Sequence, residues 1–361
     1  MIDLALLQNF KTEATMLALI VVYLAFHYYG KSYNRKLATA WFKATLPVWE
    51  KNFAQVGSGN GARLQYDGPS DYVLYATGRV HCRSIYGKVE LKPRHDVLAT
   101  ALRFIMNRTG QTEQLYDNVT INVRLNTEES SNFIFTILEK SFADENLKQR
   151  WDLDTIPTKV KNLVGFPKEY VLLTDAPEFA TLVWSDPQFQ QAIYAGLGLD
   201  KSGKGTALKR PWLERIVLTD MPHQKPENKE ELQQAPKTLS FTFRIPTDIE
   251  TNAEAQESAR VLSQMAMDFV DYLGQFGKLS QETQARLVKI RENAEYQVLK
   301  IEEEKRKQQL RDKKYAEKKA RSDAIVNLPP EEQRKFEEKE RKKDLKKNQK
   351  TSMKKGRLIV S

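Results

Sequence analysis

One stretch has residue types suited to phosphate chemistry: Gly198-Leu199-Asp200-Lys201-Ser202-Gly203-Lys204-Gly205-Thr206. Backbone amides of a glycine-rich loop can cradle phosphate, but a P-loop needs Ser or Thr directly after Gly-Lys, to hold magnesium. Gly205 takes that place and Thr206 sits one residue too far. The preceding residues also read as helix, not the required strand. The stretch therefore reads as a Gly- and Lys-rich surface loop. The four histidines, His27, His81, His95 and His223, fall in separate segments with no i, i+4 pairing. There is no HExxH, CxxC or GxSxG. Asp67 and Asp71, Asp152 and Asp154, and Asp268 and Asp271 are carboxylate pairs of ordinary frequency, and Asp152 and Asp154 before Ile156-Pro157 suit a turn. No enzyme chemistry and no cofactor is expected. A dispersed catalytic site is the weakest of three readings, and its sign would be a deep pocket holding perturbed carboxylates or His81.

The chemistry that does stand out is polyanion binding. The net charge is +10, and from Arg286 to Ser361 there are 25 Lys and Arg against 14 Asp and Glu, a surplus of 11. The preceding 285 residues are close to neutral, since 10 − 11 = −1. The basic character thus belongs to the tail. Candidate RNA-contacting cations are Lys313, Lys314, Lys318, Lys319 and Arg321, then Lys342, Lys343, Lys346, Lys347, Lys350, Lys354, Lys355 and Arg357, the last block opposed only by Asp344. A charge run is usually a solvated face. A basic rod tethered to a membrane would nevertheless concentrate at a polyanion, with strong salt dependence. No aromatic residue follows Phe336, so stacking on single-stranded bases is not indicated. Double-stranded RNA backbone suits Lys-rich helices, and anionic lipid headgroups are the competing target.

The element that must position this tail lies at the other end. Residues 14–30 contain no Asp, Glu, Lys or Arg and count 17, at the short end of the roughly 17–25 needed to span a bilayer. Leu17, Leu19, Ile20, Val21, Val22, Leu24 and Phe26 form the span, and Tyr23, Phe26, His27, Tyr28 and Tyr29 crowd its end as an interfacial belt would. A buried soluble helix would show a regular polar stripe. Lys11 precedes the run, whereas Lys31, Arg35, Lys36 and Lys43 follow it, so the N-terminus is expected in the lumen and the bulk of the chain in the cytosol. A cleaved signal peptide is the rival, with Ala38-Thr39-Ala40 as its small-x-small site. Against it stand the non-basic N-terminal region, the distance from run to site, and the single cysteine, Cys82, which suits a reducing compartment. Two glycan acceptor sequences, Asn107-Arg108-Thr109 and Asn118-Val119-Thr120, should then stay unmodified.

The organisation that follows is a luminal segment 1–13, a span 14–30, a juxtamembrane helix and linker 31–61, an α+β domain 62–277 and a basic helical tail 278–361. Leu37, Trp41, Leu46, Trp49 and Phe53 give the juxtamembrane helix an apolar face. Pro47 should bend or break it. That face could lie along the membrane or pack on the next domain. Gly57 to Gly61 marks a boundary. Strands are predicted over 72–77, 79–91, 118–125, 132–137, 170–173, 213–219 and 239–245. Helices are predicted over 96–107, 139–151, 176–184, 187–195 and 251–276, with Asp186-Pro187 a strong helix start. Their irregular order favours α+β over a doubly wound sheet. Ser280 is a candidate N-cap for the tail helix, with Thr283 the alternative. Leu287, Ile290, Ala294, Val298 and Ile301 continue at helical spacing, and the apolar stripe fades beyond. Residues 323–330 interrupt the tail, so a helical hairpin or coiled-coil-like arrangement is expected, though the seam is too weak for a stable homodimeric coiled coil.

The segment Pro329-Pro330-Glu331-Glu332-Gln333-Arg334-Lys335-Phe336-Glu337-Glu338-Lys339 through Lys350, and Lys278-Leu279-Ser280 leading into Arg286, resemble the calumin family of coiled-coil-domain endoplasmic reticulum membrane proteins. The resemblance covers nearly the whole chain past residue 14 and rests on composition and order of elements. It implies a subunit of the PAT complex in the multipass translocon. Its implied partners are a small membrane protein, Asterix, the Sec61 channel, the ribosome and nascent multipass proteins, with basic helices reaching toward ribosomal RNA. Larger family members carry an acidic luminal segment linked to calcium. Here Asp3 and Glu13 are the acids before the span, and a luminal calcium role is not expected. The second reading is a lipid-binding or membrane-contact protein whose α+β domain holds a lipid and whose tail reads anionic membrane lipids.

Overall fold

The computed structural model describes residues 11–57, 61, 63–108, 116–126, 131–141, 143, 147, 150–160, 163–200, 202–326, 341–342 and 345. Two compact units divide at residue 295. The first holds a 10-stranded sheet in the order β1-β3-β4-β5-β10-β9-β6-β8-β7, with β2 also pairing β3. The strands are β1 (Gln55–Val56), β2 (Leu64–Tyr66), β3 (Asp71–Thr77), β4 (Cys82–Glu90), β5 (Asn118–Leu125), β6 (Phe135–Glu139), β7 (Thr158–Lys159), β8 (Tyr170–Thr174), β9 (Leu213–Thr219) and β10 (Thr238–Arg244). The described pairings are antiparallel.

Register follows from which side chains must be dry. Val119, Ile121 and Val123 of β5 stand opposite Phe243, Phe241 and Leu239 of β10. Phe241 and Leu239 in turn face Ile216 and Leu218 of β9. A slip by one residue would turn this whole row to the other face. The row is covered by four helices: the C-terminal half of α1 (Lys11–Asn52), α4 (Pro177–Ser185), α5 (Pro187–Gly196) and α7 (Ala253–Phe276). Phe269 of α7 sits at its centre, with ring centroids of Phe135, Phe179, Phe189 and Phe241 at 5.4–6.0 Å. A second, smaller core covers the opposite face of β6, β8 and β9. There Ile134, Leu138, Val171, Leu173 and Val217 meet Leu153 of α3 (Trp151–Thr155) and Leu232 of α6 (Lys229–Gln233). Buried on both faces, β6 and β8 read in sequence as short apolar runs without alternation. On β3 and β4 the corresponding face leaves Tyr75 and Tyr86 exposed.

Three expectations are corrected. Pro47 does not break the juxtamembrane helix; it lies inside the continuous α1. An interior proline costs about 3 kcal/mol, and burial of Trp41, Val48, Trp49 and Phe53 around it offsets that cost. The boundary expected at Gly57–Gly61 is not where the core begins, because residues from Leu37 onward are buried in it and β1 pairs with β3 before that segment. Asp152 and Asp154 form the first turn of α3 and not a reverse turn. Asp152 is fully buried and bound by Arg150 at 2.6 Å, where a helix N-terminus favours anionic side chains. Of the helix expected over 139–151, Lys140, Ser141, Ala143 and Leu147 are helical, Glu139 belongs to β6, and residues 142, 144–146, 148 and 149 lie outside those described. The interruption expected over 323–330 does not begin at 323, since the tail helix runs on through Val326; the hairpin or coiled-coil-like arrangement depends on residues 327–340 and 346–361, which lie outside those described.

One buried cation carries a pH signature. Lys237 donates to the Ser131 carbonyl and lies 5.3 Å from the Phe133 ring centroid. Burial lowers its pKa to about 8. Between that value and the unfolded one the unfolded chain holds more protons, so stability rises with pH. The expected gain from this lysine between pH 8 and 10 is about 2 kcal/mol. Denaturant midpoints at both pH values check it: the gain should vanish in Lys237→Met.

Candidate functional site

The site is built on α1. Its first part, Leu17, Leu19, Ile20, Val21, Val22, Leu24 and Phe26 included, turns large apolar side chains outward. The helix is long and apolar enough to cross a membrane, and its most apolar window is 6% buried. One turn past Gly30 the character inverts: Asn34, Leu37, Ala38, Trp41, Thr45 and Trp49 are buried in the sheet domain. At 1.5 Å per residue, 42 residues reach about 63 Å without a break. The same rigid rod is therefore both anchor and core element.

A polar clamp holds the crossover point. Gly30 lies against the backbone of Arg94 and His95, and a Cβ there would stand 2.2 Å from the Arg94 carbonyl oxygen. Asn34 donates to the carbonyls of Lys92 (2.9 Å) and Pro69 (3.3 Å), and accepts from Arg94 at 3.0 Å. Arg94 also binds both oxygens of Asp117 at 2.7 Å and stacks over Tyr33. Adding a methyl in Gly30→Ala forces backbone against backbone. The expected loss is about 1–3 kcal/mol, the usual cost of overpacking, readable as a lower Tm in detergent.

On the other side of α1, Arg35, Lys36, Lys43 and Arg260 line a cleft of about 500 Å³, with Glu250 as its acidic member. Arg260 is fixed by donating from Nε to the Ala44 carbonyl at 2.9 Å. The tail helix α8 (Gln281–Val326) starts where Ser280 caps it, its hydroxyl accepting from Thr283 N at 3.4 Å. Lys313, Lys314 and Lys319 lie on α8 with exposed side chains, and Lys342 is helical and exposed. Lys318 and Arg321 are on α8, but their side chains lie outside the described residues. Lys343, Lys346, Lys347, Lys350, Lys354, Lys355 and Arg357 lie outside them altogether.

The chain matches the family PAT complex subunit CCDC47 over residues 9–347. It belongs to that family. A PAT complex subunit CCDC47 of Pongo abelii is 23% identical over 365 residues, covering 98% of this chain and 72% of its own. A UPF0674 endoplasmic reticulum membrane protein of Schizosaccharomyces pombe is 24% identical over 246 residues, covering 66% of this chain. An uncharacterized protein of Arabidopsis thaliana is 23% identical over 206 residues. The chain spans 62% of the fission yeast relative's length and 41% of the plant one's.

The features first weighed for catalysis do not converge. In the stretch from Gly198 to Thr206, of which Lys201 lies outside the described residues, Gly203 N donates to Asp200 O at 2.7 Å and Gly198, Gly203 and Gly205 have positive φ. His81 sits in the β3–β4 turn at φ 68, against Gly274. Burial raises the pKa of Asp268, which lines a separate cleft of about 200 Å³ with Phe189, Met265 and Tyr272. Among the described residues no group of three or more His, Cys, Asp or Glu side chains is placed to hold a metal ion. The clamp residues Gly30, Asn34, Arg94 and Asp117 were not legible as a site. They lie in three separate segments, and the one local hint is a glycine directly after the aromatic end of the span.

Proposed function

We propose that this protein is a non-enzymatic subunit of an endoplasmic reticulum membrane complex that assists insertion and folding of multipass membrane proteins at the ribosome-translocon. The family match over residues 9–347 carries this reading. The continuous α1 supports it, because a rod that is both span and core holds a working domain at fixed height above the bilayer. In this reading the N-terminus is luminal and the sheet domain cytosolic. The partners are an Asterix-like small membrane protein, the Sec61 translocon and nascent multipass chains, and the basic tail meets ribosomal RNA. Crosslinking mass spectrometry on native membranes tests it with lysine-reactive reagents. Links from Lys305 to Lys319 to ribosomal proteins, and from the sheet domain to translocon subunits, are the expected result. Links confined to unrelated membrane proteins would contradict it.

The cationic cleft favours a second reading, binding of anionic lipid. Its residues begin two positions after the span, at headgroup depth. Native mass spectrometry of the full chain purified in detergent separates the two: retained phosphatidylserine that is lost in the double variant Lys36→Gln, Lys43→Gln supports the second, no retained lipid the first.

A further inference from the structure

The helix α2 (Val97–Arg108) presents a face that the described residues of the chain leave uncovered. Leu98, Ala101, Leu102 and Ile105 recur at i, i+3, i+4 and i+7, which is one stripe of a helix. Leu98, Leu102 and Ile105 are each 59–73% exposed. Scattered exposed leucines need no explanation, but three large apolar side chains on one stripe of a 12-residue helix form a patch that marks an interaction surface.

The helix has a fixed position relative to the span. It starts from the segment that packs on Gly30, and the His95 ring lies 5.4 Å from the His27 ring. Asp96 caps it, accepting from Ala99 N at 2.9 Å, while the Thr100 hydroxyl donates back to the Asp96 carbonyl at 2.8 Å. The start of α2 is therefore held at the last two turns of the transmembrane segment, where Tyr28 and Tyr29 are also exposed.

We propose that α2 lies in the bilayer surface on the side of the sheet domain, with Leu98, Leu102 and Ile105 inserted among the acyl chains at the foot of the span. A helix of this kind buries its apolar face about 5–10 Å into the boundary between headgroups and chains. The 17-residue uncharged run supplies only about 25 Å against a hydrocarbon core of about 30 Å. An inserted α2 spreads the headgroups beside it and thins that leaflet locally, which relieves the mismatch. The inference stands on geometry and not on the proposed role in protein insertion. It holds for either orientation of the span.

The test uses the full chain in Cys82→Ala background, with one cysteine placed by Leu98→Cys, Ile105→Cys or Thr100→Cys and labelled with an environment-sensitive fluorophore. Each is reconstituted alone into vesicles of four parts phosphatidylcholine to one part phosphatidylserine. Labels at 98 and 105 should emit at shorter wavelength, be quenched by lipid carrying a nitroxide near the headgroup, and be several-fold protected from aqueous iodide. The label at 100, on the opposite side, should be open to iodide. If labels at 98 and 105 are as open to iodide as that at 100, and blind to nitroxide lipid, the proposal is overturned. If they are shielded from iodide but equally blind to nitroxide lipid, protein covers the face, which overturns it too.

Discussion

Arg291→Ala lowers the stability of the sheet domain by about 3–5 kcal/mol, the usual consequence of removing one partner from a buried ionic group. Arg291 comes from the root of α8 and is 17% exposed. Its guanidinium binds Asp175 at 2.6 Å, and Asp220 through two bonds of 2.8 and 3.0 Å. Asp175 is buried and accepts from Ile134 N at 2.8 Å, and the side chain of half-buried Asp220 is 8% exposed. Burial raises the pKa of Asp175 and the charge of Arg291 opposes that rise. Without the arginine, Asp175 remains in a dry site beside a second carboxylate, so its folded pKa moves further above the unfolded one. The folded state then holds more protons than the unfolded one, and stability falls as pH rises from the unfolded value to the folded one. The variant's deficit should therefore be largest near neutral pH and shrink on acidification. At about 2–4 °C per kcal/mol, the Tm in detergent drops by roughly 6–20 °C. Neutralising the whole group in Arg291→Met, Asp175→Asn, Asp220→Asn should return most of the loss. A triple variant as unstable as the single one would show that shape, and not unpaired charge, sets the cost.

Deleting residues 302–361 removes salt-sensitive sedimentation with ribosomes. Among these residues the block from Lys342 to Arg357 carries eight cations against Asp344. If six of them neutralise phosphates, affinity should fall about 10³-fold between 50 and 200 mM salt. The deleted form should lose that slope as well as the affinity. A milder variant with the eight cations replaced by glutamine keeps the chain length and should behave like the deletion. Equal sedimentation of all three forms across the salt series would remove the tail from the ribosome contact.

What could be read in the sequence had local causes. The alternation of Val119, Ile121, Val123 and Leu125 predicted β5, and Leu213 to Thr219 is β9 as expected. Asp186 caps α5, accepting from Gln188 N at 3.0 Å, as the Asp-Pro pair implied. Strand β6 was placed three residues early because Phe133 and Ile134 extend the apolar run; they are buried just outside the ladder. Proline at 47 was over-weighted, since local propensity says nothing of two tryptophans waiting to be buried. The apolar side of α2 was visible as a period, but a period does not say what covers it. The Arg94–Asp117 and Arg291–Asp175 pairs join residues 23 and 116 positions apart. No single-sequence pattern reports which distant charges will meet.

The proposed role requires the sheet domain and the basic tail to lie on the same side of the membrane as the ribosome. Protease protection in sealed native vesicles tests this most directly, with a C-terminal epitope and endoglycosidase treatment in parallel. The expected result is that protease added outside removes the epitope and digests the sheet domain, while mobility is unchanged by endoglycosidase. A chain protected to its C-terminus, with glycan at Asn107 or Asn118, would place the domain in the lumen and contradict the account.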